Sequence, residues 1–467
     1  MTATTPQIPL DASDPYAPLL RQAAAHASGY LGTVNARRVG PTQADVDALV
    51  NLGGVLQGDG ENPAEILDLL HRFGSPATMA VMGGRFFGGV IGGSLPVTVA
   101  AHWIADAWDQ NACLYELSPV SAFLEDIVLS WLIDLFNLPA DCGGALVVGT
   151  QMADITALTA ARHALLAKAG WDVDNDGLFG APPINVVVGE EVHATMLKAL
   201  ALIGLGRKRI ITAPVDGQGR MRAAALPKLS GPTIVCAQLG NVNTGCCDPI
   251  AEICDAARDT GAWVHVDGAF GLWASTAPER RHLTAGLELA DSWATDGHKW
   301  LNTPQDCGIA IVRDRIALRN AMAVSGAYYG EPAARDPMRW CPDSSRRARA
   351  IELWAALRSL GRRGIGDQVE RTCRLARRFA EGLAKAGHEI LNDVVLNQVL
   401  VAFGPGDITD QVIKAIQDDG VCWCGGTTWH GRRAMRISVS SWATTEADVD
   451  MSLDAFDRAY RQCGGNR

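Results

Sequence analysis

Lys299 stands between His298 and Trp300, just past the apolar run Ser292–Thr295, in a chain with only seven lysines. A lysine at an arbitrary position is a surface residue. One drawn inward needs its charge paired or its proton affinity depressed, and either condition suits an amine that forms a Schiff base. Thirty-two residues upstream, Asp267 closes the run Trp263–Val266. A carboxylate there either caps the following turn or is buried, and a buried one needs a cationic partner. A protonated pyridine nitrogen would be such a partner and would sharpen an electron sink. Further upstream, Val148 leads into Gly149-Thr150-Gln151 at a helix start. Backbone N–H groups and the helix dipole there suit a phosphate, although Gly-Thr before a helix is also an ordinary cap.

These residues share one position, the end of a short apolar run. Such runs at Ala145–Val148, Ile184–Val188, Thr233–Ala237, Trp263–Val266, Ser292–Thr295 and Ile309–Val312 alternate with helical stretches at 150–169, from His193, and at 250–260. Continuous apolar strands separated by helices predict an α/β doubly wound core, with its sheet buried on both faces. Ligands of such sheets bind beyond the carboxyl ends of the strands. After Arg346 come a long helix (351–360), more helix to Ala386, and strands at 394–403 and 435–439, which predict a smaller α+β domain. The expected division is an N-terminal helical arm (1–75), a large α/β domain (76–335) and a small C-terminal α+β domain (336–467).

A chain of 467 residues exceeds one core, which agrees with that division. Its net charge of −10 argues against a nucleic-acid partner. Met79–Trp108 is apolar but broken by glycines, Arg85 and Asp106, so no membrane span is expected. Residues 1–15 are polar and Pro-rich, without the look of a secretory signal. Twelve cysteines without zinc spacing read as free thiols of a cytoplasmic protein, with no metal site. Asp172–Gly177 imitates the start of a calcium loop, but Pro183 takes the place of the bidentate Glu. Walker, HExxH and nucleophile-elbow patterns are absent from the sequence.

His265-Val266-Asp267-Gly268-Ala269-Phe270, followed by Ala290-Asp291-Ser292 through His298-Lys299-Trp300, resembles the pyridoxal-phosphate-dependent decarboxylases of the aromatic-amino-acid and glutamate group. The likeness continues through Leu117-Ser118-Pro119, Ala160-Ala161-Arg162, and Gly240–Gly245 before Asp248-Pro249, and covers roughly Ser75 to the C-terminus. It implies the aspartate-aminotransferase-like fold (fold type I) and a homodimer with its active site at the interface. Lys299 would form the Schiff base with pyridoxal 5′-phosphate (PLP) and Asp267 would bind the pyridine nitrogen. Ala269 would pack on one ring face and His193 on the other. Thr150, Gln151 and His298 would serve the phosphate, with Asp296 in the same turn. Arg436 would grip the substrate carboxylate, and Phe87 and Tyr115 would line the substrate pocket.

The implied reaction is decarboxylation of an L-amino acid. The same sink would equally serve an aldolase or an aldehyde synthase, and a non-catalytic homologue would act as a binding regulator. Many relatives return a proton to the α-carbon from a loop tyrosine. Of six tyrosines, only Tyr328 and Tyr329 lie near the corresponding loop, at its beginning, and Tyr329 is the candidate.

Overall fold

The apolar runs become strands of one sheet. They are β1 (Gly143–Val147), β2 (Asn185–Gly189), β3 (Ile210–Ala213), β4 (Thr233–Gln238), β5 (Trp263–Asp267), β6 (Ser292–Asp296) and β7 (Gly308–Val312). Their order is β1-β7-β6-β5-β4-β2-β3 in the computed structural model, which describes residues 14–323 and 334–465. β7 runs antiparallel to β1 and β6, and every other pairing is parallel. All strands but β7 therefore end on the same edge.

Alternate residues face opposite ways along each strand. Val147, Val186, Val188, Ile234 and Ala294 pack with Ala153, Ala157 and Leu158 of the helix Thr150–Lys168. Leu146, Val187, Val235, Val266, Trp293 and Ile309 pack on the other side with Phe270, Trp273 and Leu353. Two covered faces explain why the runs are apolar throughout. β3 is the strand not read from the sequence. It is an edge strand paired only to β2, and its Ile211 is 39 % exposed, so the continuous apolar signature is missing.

A second, antiparallel sheet comprises β8 (Glu389–Ile390), β9 (Gln398–Ala402), β10 (Gly425–Trp429) and β11 (Arg432–Ser438), in the order β10-β11-β9-β8. The helix Ala350–Lys385 links the two cores. It breaks at Gly361, whose φ of 60° lies in the left-handed region that glycine tolerates, and gives Leu353 and Leu357 to one core and Leu375 and Phe379 to the other. Before the sheets come the short helices Tyr16–Thr33, Gln43–Asp47 and Pro63–Leu69. Among the described residues no helix is long and apolar enough to cross a membrane.

Candidate active site

Register brings the strand ends together. Gly308 of β7 pairs with Val147 on one side and with Asp296 on the other, so β1 and β6 end level. A Cβ on Gly308 would lie 2.3 Å from the Gly149 backbone, so only glycine lets the turn after β1 come down against β7. Asp296, buried at the end of β6, accepts hydrogen bonds through Oδ2 from the Thr150 N–H (2.9 Å) and hydroxyl (3.0 Å). Its Oδ1 accepts from the His298 N–H at 3.4 Å and lies 2.8 Å from His298 Nδ1. The Asp296 carboxylate thus occupies the positive end of the helix Thr150–Lys168. Both donors of Thr150, a residue expected to serve the phosphate, are directed at Asp296. His298 and the half-buried Gln151 remain as the expected residues that could meet a phosphate.

The Lys299 backbone is held from three directions. The Asn302 amide donates to the Lys299 carbonyl (2.8 Å) and to the Ser440 carbonyl (3.0 Å). Gln368 Nε2 donates to the Trp300 carbonyl (2.6 Å) and to Asn302 Oδ1 (3.1 Å). The Trp300 indole N–H donates to Thr372 Oγ1 at 2.8 Å. A Cβ on Gly92 would come within 2.5 Å of the Lys299 carbonyl oxygen, so the glycine-rich segment presses directly on this turn. Asn302 and Gln368 were not read from the sequence. The one local sign is the φ of 55° at Asn302, a conformation that Asn adopts more readily than most residues but that the sequence does not display.

Asp267 ends β5 at 5 % exposure, and its Oδ1 accepts from the Ala269 N–H at 3.1 Å. Among the described residues it makes no ion pair, which leaves a buried carboxylate without a cation. His193 caps the helix Ala194–Leu202: its Nδ1 accepts from the Thr195 N–H (3.3 Å) and lies 2.6 Å from Thr195 Oγ1. An accepting Nδ1 puts the proton of the neutral ring on Nε2. Burial lowers the proton affinity of His193, Asp267 raises it, and Lys299 and Arg436 lower it further, so each of these three groups lies within electrostatic reach of His193. Arg436 on β11 pairs with Gly425 of β10 and Leu400 of β9. Its half-buried guanidinium makes no ion pair among the described residues, and burial lowers its proton affinity. Such a fork is suited to a carboxylate ligand.

Behind Asp267 lies a polar chain that the sequence reading did not single out. His265 Nε2 is 3.1 Å from Asp154 Oδ1, His265 Nδ1 is 2.8 Å from Ser292 Oγ, and the Trp263 indole N–H donates to the same Oγ at 2.8 Å.

Phe87 is not a pocket residue of this subunit, which corrects the expectation. Its ring is fully buried in the core of the second sheet, edge-on to Phe379 at 5.0 Å between centroids. Tyr115 lies on the surface, its backbone N–H donating to Asp336. Tyr328 and Tyr329 lie outside the described residues. Asp172 caps a short helix through Asp174 and Asn175, and no group of described residues is arranged to hold a metal ion.

An aldehyde cofactor with a basic ring nitrogen fits what is present: an amine at Lys299 and, in Asp267, a buried carboxylate that makes no ion pair among the described residues. Residues 84–404 match the family model of the pyridoxal-dependent decarboxylase conserved domain. The L-2,4-diaminobutyrate decarboxylase of Rhizobium meliloti (strain 1021) is 28% identical over 445 residues, covering 90% of this chain and 85% of that protein. The 4-hydroxyphenylacetaldehyde synthase of Rhodiola rosea is 28% identical over 362 residues, covering 71% and 72%. The crystal structure of Oryza sativa TDC with PLP and tryptamine superposes with a TM-score of 0.89 at 23% identity, covering 97% of this chain and 99% of that one. That likeness establishes the α/β fold of type I. The chain belongs to the pyridoxal-dependent decarboxylases, carboxy-lyases that work through PLP.

Proposed function

We propose that this chain removes the α-carboxylate of an L-amino acid and releases the amine, with Lys299 as the residue that carries PLP. The supporting observation is that Lys299 and Asp267, at or just past the carboxyl ends of parallel strands, and Arg436 of the second sheet all lie within electrostatic reach of His193. PLP, when bound, supplies the electron sink for a bond at the α-carbon. Lys299 Nζ offers the amine, on a backbone that Asn302 and Gln368 keep from shifting. Asp267 keeps a proton on the ring nitrogen, and His193 and Ala269 confine the ring from its two sides. Arg436 orients the substrate through its carboxylate.

The test is a screen of the standard amino acids for amine and CO2. Product free of ammonia and peroxide supports decarboxylation, whereas aldehyde with ammonia supports the aldehyde-synthase reading, which a Rhodiola relative of that name favours. Tyr329 is proposed to return the proton to the α-carbon. Tyr329→Phe should then slow amine formation and raise the aldehyde share, and an unchanged product ratio rules it out.

We also propose that the chain works as a homodimer in the cytoplasm. In support, several large apolar side chains between residues 103 and 123, Trp103, Trp108, Tyr115, Leu117 and Phe123 (64 % exposed), are left exposed on the single chain. Twelve free cysteines suit a reducing compartment. The division at residues 75 and 335 stands as a proposal, supported by the two separate sheets.

A further inference from the structure

Asp154 lies within the helix Thr150–Lys168 at 0 % exposure, and the cofactor roles assigned above make no use of it. One of its oxygens meets His265 Nε2 at 3.1 Å, and the other, Oδ2, is buried with no hydrogen-bond partner. A carboxyl so placed has to be neutral or to find a cation. His265 is no cation, because burial pushes its proton affinity down to about 3. The neutral pair shares one proton: as an acid, Asp154 donates to Nε2, and Nδ1–H then donates to Ser292 Oγ.

The groups facing Asp154 define what could change its charge. From β5 come His265 and Asp267, and alternate strand residues share a face, so both look toward this helix. From β4 comes Cys236, its thiol held neutral by burial, and from the end of β6 and its turn come Asp296 and Lys299. Burial first, then the charges of Asp267 and Asp296, raise the proton affinity of Asp154 well above the carboxylate range, while Lys299 lowers it. A cation seated at Asp267 cancels one of the charges that hold this proton in place.

We propose that Asp154 is a second acid of the cofactor site, a positioning residue behind Asp267 whose proton is linked to the cation that Asp267 binds. The proposal rests on the assignment of the PLP ring nitrogen to Asp267. Linkage fixes the sign. Once Asp154 is ionised it favours a pyridinium, so PLP affinity gains from Asp154 as pH rises, and a residue that cannot ionise loses the gain.

The experiment measures the PLP dissociation constant of the full chain from about pH 6 to about pH 9, for wild type, Asp154→Asn and Asp154→Thr. Lys299 is present in all three, so the ratio of variant to wild type isolates Asp154. The ratio is expected to start near one and to climb to about tenfold, the size of one pKa unit of displacement. A purely structural role weakens binding by the same factor at every pH, and a flat ratio in whichever variant folds overturns the proposal. Asp267→Asn is measured alongside. If it binds PLP as tightly as wild type, the Asp267 assignment falls and takes this proposal with it. If it binds weakly and the Asp154 ratio is flat, only the Asp154 proposal falls.

Discussion

Thr150 donates twice to one oxygen of Asp296, from its backbone at 2.9 Å and from its hydroxyl at 3.0 Å, and so closes the turn over β7 with a carboxylate at its centre. A hydroxyl committed to a buried charge contributes to stability more than to ligand binding. Thr150→Val should therefore cost about 1.5–3 kcal/mol in urea unfolding, the usual loss for a hydrogen bond to a charged group. The PLP dissociation constant should move less than about threefold, since a loss of 1.4 kcal/mol would already be tenfold. A large loss of affinity with little loss of stability would return Thr150 to the phosphate.

Lys299 differs from the other lysines in having its carbonyl, its neighbour Trp300 and the next turn all pinned by buried side chains. Lys299→Ala should abolish both the visible band of bound PLP and the activity. Borohydride reduction of the PLP-loaded wild type, followed by peptide mapping, should place the label on Lys299. A label on any other lysine rejects the assignment.

Arg436 offers a planar fork with no acidic partner among the described residues. Arg436→Lys keeps the charge but loses the bidentate geometry. The Michaelis constant should rise about tenfold or more, while PLP binding stays close to that of the wild type. An unchanged Michaelis constant would make the arginine structural.

Lys299 and Asp267 were legible because each follows a short apolar run, and a doubly wound sheet presents ligand-binding residues at the ends of such runs. Their support was not legible. Gln368 lies 66 residues from Asn302 in the chain, and only the docking of the long helix against the turn brings them to 3.1 Å. Asp154 reads as an ordinary polar residue of a helix, because the sequence does not say which face meets β5. Phe87 failed for the same reason: an aromatic beside a glycine-rich segment can turn toward a pocket or a core, and the second sheet claims this one. β3, β8 and β10 escaped notice as edge strands, whose half-exposed residues break the apolar pattern.

The Asp154–His265 pair also predicts how stability depends on pH. In the unfolded chain the two groups titrate near 3.8 and 6.5, whereas burial drives the folded histidine down to about 3 and the folded acid well up. The folded pair therefore holds one proton across the whole range between. Above pH 6.5 the unfolded pair holds none, so the contribution of the pair to stability falls as pH rises, by up to about 1.4 kcal/mol per pH unit. Between 3.8 and 6.5 both states hold one proton and the contribution is flat. Below 3.8 the unfolded pair holds two, and the contribution falls as pH drops. In Asp154→Asn only the histidine titrates, so its contribution is flat above 6.5 and already falls with acid below it. Stability of wild type relative to the variant should thus decline from about pH 5 upward for as long as the folded acid keeps its proton, with a slope approaching one proton. Urea unfolding of the PLP-free chain at several pH values reads this slope directly. Parallel stability curves would mean that Asp154 is ionised in the fold, and the neutral pair would be wrong.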